Sequence, residues 1–69
     1  MSTIYQKLGE SVHKQRKRTS MSQEELATKA KLDLTSVSEI ESGLRNPSLK
    51  TIHKLANALG VKVKDLIPF

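Results

Sequence analysis

The chain has 69 residues, a formal net charge of +5 at pH 7 and no cysteine. Its length predicts one small domain, residues 1–69, near the lower limit at which a hydrophobic core is stable without disulfides or a structural metal. The lack of cysteine excludes disulfide and thiolate–metal frameworks. The excess of lysine and arginine favours a polyanionic partner. The sequence has no apolar run of bilayer length and no signal-peptide pattern in Met1–Glu10, so we expect a cytoplasmic protein with no membrane partner.

The first predicted helix follows a cap at Ser2 or Thr3. Its apolar stripe consists of Ile4, Leu8 and Val12. Gly9 weakens this helix by about 1 kcal/mol relative to alanine. The basic tail, Lys14–Arg18, is either a solvated face with cations suited to a helix C-terminus or a phosphate-binding segment. We interpret it as a mixture, because Arg16 continues the apolar stripe and is expected to point inward.

Residues 22–42 predict two short helices joined by a tight turn. Ser22 and Glu25 have the spacing of a capping box, and Asp33 caps the second helix. The apolar positions recur at helical spacing and are Leu26, Ala27 and Ala30, then Val37, Ile40 and Leu44. This pattern predicts a helix-turn-helix whose second, recognition helix (about residues 34–42) faces an outside partner.

Two further helices follow the motif. Gly43 ends the recognition helix, Ser48 caps the fourth helix and Gly60 ends it. The apolar face of the fourth helix consists of Leu49, Ile52, Leu55, Ala56 and Leu59, and a short fifth helix is expected around Val61, Val63, Leu66 and Ile67. Together these stripes predict a compact all-α bundle of five helices around a single core.

Four segments, in this order, resemble the Cro and phage-repressor (Xre-type) family of helix-turn-helix regulators. They are Ser22–Ala27, Val37–Gly43, Arg45–Ser48 and Leu55–Val61. The resemblance runs from about Leu8 to Leu66. It implies a lambda-repressor-like bundle that binds double-stranded DNA as a transcription regulator. Among compact relatives the chain looks most like controller proteins of restriction–modification systems; the alternatives are a phage-type repressor and an antitoxin-like protein-interaction module.

The resemblance also implies roles for individual residues. Arg16 is expected to pair with Glu41 and tie the first helix to the recognition helix, a pairing that suits the planar guanidinium. Relatives often have glycine where Ser20 and Lys31 stand, and a left-handed backbone at Lys31 would cost about 1–2 kcal/mol. Controller proteins often have arginine where Leu34 stands, so their base contacts do not transfer directly.

The first turn of the recognition helix is expected to meet base edges in the major groove. The candidate base contacts are Leu34, Thr35, Ser36, Ser38 and Glu39. Leu34 either contacts a thymine methyl group or packs on the neighbouring turn, and Glu39 either accepts a hydrogen bond from cytosine or only aids solubility. The candidate phosphate contacts are Gln23, Lys17, Arg18, Arg45, Asn46 and Lys50. For Lys50, ordinary helix solvation is the alternative.

The apolar end of the chain, Ile67 and Phe69, predicts a homodimer interface, unless Phe69 caps the core or frays. A two-fold dimer would place the recognition helices about 34 Å apart over a nearly palindromic operator. Catalysis is not expected, because His13 and His53 lie on different helices without acidic neighbours at metal-ligand spacing. We therefore expect no metal, no cofactor and no small-molecule ligand, and a location on DNA in the nucleoid.

Overall fold

The computed structural model describes residues 3–69, and these residues form five α-helices and no strand. Met1 and Ser2 lie outside the described residues, and so does the predicted cap at Ser2. The helices are α1 (Ile4–Arg18), α2 (Gln23–Ala30), α3 (Leu34–Glu41), α4 (Leu49–Leu59) and α5 (Val63–Leu66). The predicted all-α bundle of five helices is confirmed, with α3 ending one residue earlier than expected.

The first four helices each begin at a side chain that accepts a hydrogen bond from a backbone N–H in the first turn. These side-chain caps, with the donating residue and distance, are Thr3 (Gln6, 3.1 Å), Ser22 (Glu25, 3.0 Å), Asp33 (Ser36, 3.0 Å) and Ser48 (Thr51, 3.2 Å). The Glu25 carboxylate also accepts from the backbone N–H of Ser22 at 2.9 Å, which completes the predicted capping box. The caps satisfy backbone donors that a helix start leaves unpaired.

A single core lies between the helices. Its buried apolar members are Leu8, Val12, Leu26, Ala27, Ala30, Val37, Ile40, Ile52, Leu55, Ala56, Leu59 and Leu66. Three residues predicted on apolar stripes lie outside it: Ile4, Leu44 and Leu49 are 50%, 75% and 72% exposed. Ile4 and Leu49 keep the spacing of their stripes but are the first residues of their helices, and Leu44 lies in the loop after the left-handed Gly43, so all three lie at the edge of the core.

Gly9 marks the crossing of α1 and α3. A Cβ atom at this position would lie 2.4 Å from the carbonyl oxygen of Ile40 and 2.6 Å from that of Glu41. These separations are shorter than any ordinary van der Waals contact, so only glycine allows the two backbones to approach this closely. The residue that weakens α1 as an isolated helix therefore sets the position of the recognition helix.

Two turns flank α2, and each contains a non-glycine residue with a left-handed backbone. Ser20 has φ 57°, and Lys31, at the C-terminal end of α2, has φ 58° and ψ 44°. These are the two positions at which the family resemblance implies glycine in relatives. The left-handed backbone suspected at Lys31 is present, and each residue carries a steric penalty of about 1–2 kcal/mol.

Candidate nucleic-acid interface

The first turn of α3 presents part of the predicted base-contact set to solvent. Leu34 is 46% exposed and Thr35 beside it is also exposed. Ser38 and Glu39 are half-buried, and Ser36 is only 6% exposed. Leu34 and Thr35 are therefore the most accessible of the five residues in their present conformations.

An open groove places two of the predicted phosphate contacts beside a predicted base contact. Lys17 from the end of α1, Gln23 from the start of α2 and Leu34 from the start of α3 all line it. The start of α2 adds the positive end of a helix dipole to this groove. The groove brings these three residues together although they are distant in sequence, and the acidic side chains of Glu24 and Glu25 line it as well.

The remaining predicted phosphate contacts are distributed more widely. Arg18 lines a separate depression with Leu59 and Val61, away from the groove beside Leu34. Asn46 and Lys50 are exposed in the loop before α4 and in the first turn of α4. The structure therefore separates Arg18 from Lys17, although the two are adjacent in sequence.

Arg16 and Glu41 meet in a buried network between α1 and α3. The Nε of Arg16 donates to Glu41 Oε2 at 2.7 Å, and Nη2 donates to Oε1 at 3.0 Å. The third contact of the guanidinium is from Nη1 to the carbonyl oxygen of Met21 at 2.8 Å. Glu41 Oε1 also lies 2.9 Å from His13 Nδ1 and 3.2 Å from Gln23 Nε2, which donates to it. The side-chain amide of Gln23, predicted to contact phosphate, is thus engaged within the domain.

Electrostatics in this network favour the charged forms of both partners. Burial by itself would raise the pKa of Glu41, but hydrogen bonds from Arg16, His13 and Gln23 outweigh it and leave the pKa of this carboxyl lowered. The hydrogen bond to Glu41 raises the pKa of Arg16. His13 Nδ1 lies within reach of both Arg16 Nη2 and Glu41, and it can donate to Glu41 or accept from Arg16, but not both.

A second Arg–Glu pair lies on the outer face of α3. Arg45, from the following loop, donates through Nε to Glu39 Oε1 at 2.9 Å and through Nη1 to Ser36 Oγ at 2.9 Å. The hydroxyl of Ser36 in turn donates to Asp33 Oδ1 at 2.6 Å. The side-chain and backbone hydrogen bonds from Ser36 lower the pKa of Asp33.

The sequence predicts Arg45 and Glu39 as separate DNA contacts and does not reveal that they touch each other. The spacing of Ser36 and Glu39, three residues apart in a helix, places both on one face. That spacing is the one signal that the sequence offers, but only the path of the loop after Gly43 returns Arg45 to this face.

The residues predicted to form a dimer interface differ in exposure. Ile67 is half-buried against the core, and Phe69 is 56% exposed. Leu44 and Leu49 are the most exposed large hydrophobic residues of the described chain. The C-terminal end therefore presents one aromatic ring to solvent, while two further exposed apolar side chains lie in the loop after α3 and at the start of α4.

Residues 3–69 contain no cluster of three or more histidine, cysteine, aspartate or glutamate side chains that could hold a metal ion. Within the same residues, no helix has the length and apolar character needed to cross a membrane.

Comparisons with known proteins match most of the chain. A family model described as helix-turn-helix matches residues 12–66. The control protein C.BamHI of Bacillus amyloliquefaciens is 50% identical over 52 residues, which are 75% of this chain but only 64% of that relative, less than two thirds of its length. The control protein C.MunI of a Mycoplasma species is 39% identical over 67 residues, covering 96% of this chain and 90% of the relative. Among solved structures, the restriction–modification controller protein C.AhdI of Aeromonas hydrophila superposes with a TM-score of 0.88 at 39% identity, covering 90% of this chain and 94% of that one.

Proposed function

Because the chain belongs to the Xre-type helix-turn-helix family of DNA-binding transcription regulators, which are not enzymes, we propose that it regulates transcription as a homodimer bound to a nearly palindromic operator. The similarity to three control proteins favours the role of a restriction–modification controller. The proposed site of action is DNA in the cytoplasm. The observation that carries the proposal is the first turn of α3, which exposes Leu34 and Thr35 while the opposite face of the helix is buried in the core.

In this proposal the recognition helix supplies readout and its flanks supply affinity. Helix α3 contains no lysine or arginine, so attraction to phosphates has to come from other elements. Lys17 contacts the backbone on one side of the recognition helix, and Gln23 does so through its second amide hydrogen, because the first is donated to Glu41 Oε1. Asn46, Lys50 and the N-terminal amides of α4 contact it on the other. Arg18 contributes mainly to the overall positive charge.

The proposed dimer pairs the C-terminal ends of two copies. Phe69 is 56% exposed, and an aromatic ring of this size is an effective anchor when a partner buries it. Sedimentation or native mass measurements over a concentration series test this directly. Phe69→Ala is expected to weaken the dimer, whereas Leu49→Ala, which removes a more exposed side chain elsewhere, leaves it intact. A dimer weakened by Leu49→Ala but not by Phe69→Ala would place the interface at the start of α4.

Selection of bound sequences from a random duplex pool, at two salt concentrations, tests the function. We expect an enriched inverted repeat with half-sites about one helical turn apart. Leu34→Ala is expected to alter the preference at one position of each half-site. Leu44→Ala is the matched control, because it removes an equally apolar side chain that lies outside the first turn of α3. If no sequence is enriched and binding vanishes as salt rises, the protein has only a nonspecific attraction to DNA, and a protein partner becomes the better hypothesis.

A further inference from the structure

Arg45 belongs to the loop after α3, yet its guanidinium lies against the recognition helix. It contacts Ser36 in the first turn and Glu39 one turn later, at 2.9 Å in each case. Two contacts through different nitrogens fix both the position and the plane of the guanidinium. The recognition helix, which has no cation of its own, thereby receives one from the loop.

The Ser36 contact is itself oriented by the cap of the helix. The single hydroxyl hydrogen of Ser36 is donated to Asp33 Oδ1 at 2.6 Å, so a lone pair of Oγ is available to accept from Arg45 Nη1. Asp33 is held in turn by the backbone N–H of Ser36, 3.0 Å from Oδ2. A continuous set of hydrogen bonds therefore runs from the helix cap through Ser36 and Arg45 to Glu39.

The charge balance of this arrangement fits base reading better than phosphate binding. Attraction to phosphates depends on net positive charge, and the carboxylate of Glu39 cancels the charge of Arg45. Recognition of a base edge depends instead on donors held in fixed positions. Nη2 of Arg45 has no partner among residues 3–69, and it remains available to a guanine acceptor.

We propose that Glu39 is a positioning residue that determines sequence preference by holding Arg45 in place to read a guanine in the major groove. The inference rests on the proposed DNA-binding function. It assigns Arg45 to base readout rather than to the phosphate backbone. It gives Glu39 a role through Arg45 rather than through cytosine or solubility.

The test compares Glu39→Gln, Arg45→Lys and Arg45→Ala on the duplex selected by the unaltered protein, on its single-base variants and on an unrelated duplex. Arg45→Lys keeps the charge but loses the two-point fixation. We expect it to retain affinity for the unrelated duplex and to lose discrimination at one G·C position by roughly tenfold. Glu39→Gln is expected to lose discrimination at the same position. Its binding to the unrelated duplex rises, and the salt slope steepens by about 0.9 as the released Arg45 reaches a phosphate.

The double variant Glu39→Gln/Arg45→Ala separates an indirect role of Glu39 from a direct one. If Glu39 acts through Arg45, adding Glu39→Gln to Arg45→Ala changes sequence preference no further. Glu10→Gln is the charge-matched control, because it removes one exposed acid from α1 and is expected to preserve discrimination. Melting temperatures establish that each variant is folded.

Three results would overturn the inference. A further change of preference in the double variant would make Glu39 a direct base contact. Full discrimination by Arg45→Lys would make Arg45 a phosphate contact, and unchanged discrimination by Glu39→Gln would remove its positioning role. These results presuppose an unaltered protein that selects a sequence. If it selects none, the proposed function itself fails, and the inference fails with it.

Discussion

Two Arg–Glu pairs contact the recognition helix, and they differ in burial and in the number of hydrogen bonds between the partners, which is two for Arg16–Glu41 and one for Arg45–Glu39. The side chains of Arg16 and Glu41 are 9% and 4% exposed, whereas those of Arg45 and Glu39 are 46% and 39% exposed. Both pairs have N–O separations under 3 Å. An Nε–carboxylate contact is thus present once where water is excluded and once where water competes for both partners. The comparison teaches that burial determines whether such a pair stabilises the fold or only orients a surface.

Removing the arginine of the buried pair is expected to have the largest effect on stability. Arg16→Ala leaves the Glu41 carboxylate buried without its bidentate partner and leaves the Met21 carbonyl oxygen without a donor. We expect the free energy of unfolding to fall by roughly 3–5 kcal/mol, measured by urea denaturation. Arg18→Ala removes the same side chain from an exposed position in the same helix, and its effect is expected to stay within about 0.5 kcal/mol. Equal effects of the two substitutions would contradict the assignment of a structural role to Arg16.

The substitution Gly9→Ala tests the close backbone contact between α1 and α3, which lies beside the buried pair. Alanine favours a helix over glycine by about 1 kcal/mol, so helix propensity alone predicts stabilisation by Gly9→Ala. The added Cβ would lie 2.4 Å from the Ile40 carbonyl oxygen and would force α1 and α3 apart. We therefore expect a net loss of roughly 1–3 kcal/mol in thermal or urea unfolding. The exposed neighbour provides the control, since Glu10→Ala is expected to be almost neutral. Stabilisation by Gly9→Ala would mean that the helices cross less closely.

Acid pH weakens the buried pair through Glu41. The pKa of Glu41 is lowered in the folded protein, since hydrogen bonds from Arg16, His13 and Gln23 overcome the opposing effect of burial. The carboxylate therefore contributes stability above its unfolded pKa, and this contribution is lost as pH falls through the lowered folded pKa. Asp33 and Glu25 also have lowered pKa values, caused mainly by hydrogen bonds from Ser36 and Ser22, so the unaltered protein loses stability in acid at several carboxyls.

Urea denaturation of the unaltered protein and of Glu41→Gln, from neutral to acid pH, isolates the part of the acid-induced loss of stability that is due to Glu41. The stability difference between the two proteins is expected to be largest near neutral pH and to shrink in acid, where Glu41 is protonated. A difference that stays constant over this range would show that the charge of Glu41 does not matter.

The parts of the fold that depend on near neighbours in sequence could be predicted. Ser22 with Glu25 and Asp33 with Ser36 are each three residues apart, and such caps form within a single helical turn. The core stripes of α2 and α3 follow from helical spacing in the same way. The resemblance to the Xre-type family implies a turn with glycine where Lys31 stands, and the backbone of Lys31 is left-handed.

What could not be predicted depends on how distant segments meet. From the sequence, Gly9 only lowers the helix propensity of α1. The need for glycine at this position appears only in the structure, where the backbone of α3 crosses α1. Leu44 and Leu49 fit apolar stripes in sequence, but both lie outside the core, Leu44 in the loop after Gly43 and Leu49 at the start of α4. The contact between Arg45 and Glu39 likewise requires that loop to turn back onto α3. Periodicity identifies a helix face, but it does not identify what a loop brings to that face.

The exposed pair is expected to show the smallest effect on stability. Glu39→Ala removes a carboxylate that water already solvates in part, so the free energy of unfolding should change by about 1 kcal/mol or less. Glu41→Ala removes the same side chain two residues further along α3 and should be several-fold more destabilising, which urea denaturation of both variants would reveal. Added salt should further reduce the change in the free energy of unfolding caused by Glu39→Ala, because ions screen an exposed pair.

If instead the two glutamates proved equally important for folding, Arg45 would be a structural residue, and a loss of DNA discrimination in Glu39 variants would reflect a displaced helix. A small effect on stability is therefore what allows the DNA-binding data on Glu39 and Arg45 to be interpreted as recognition.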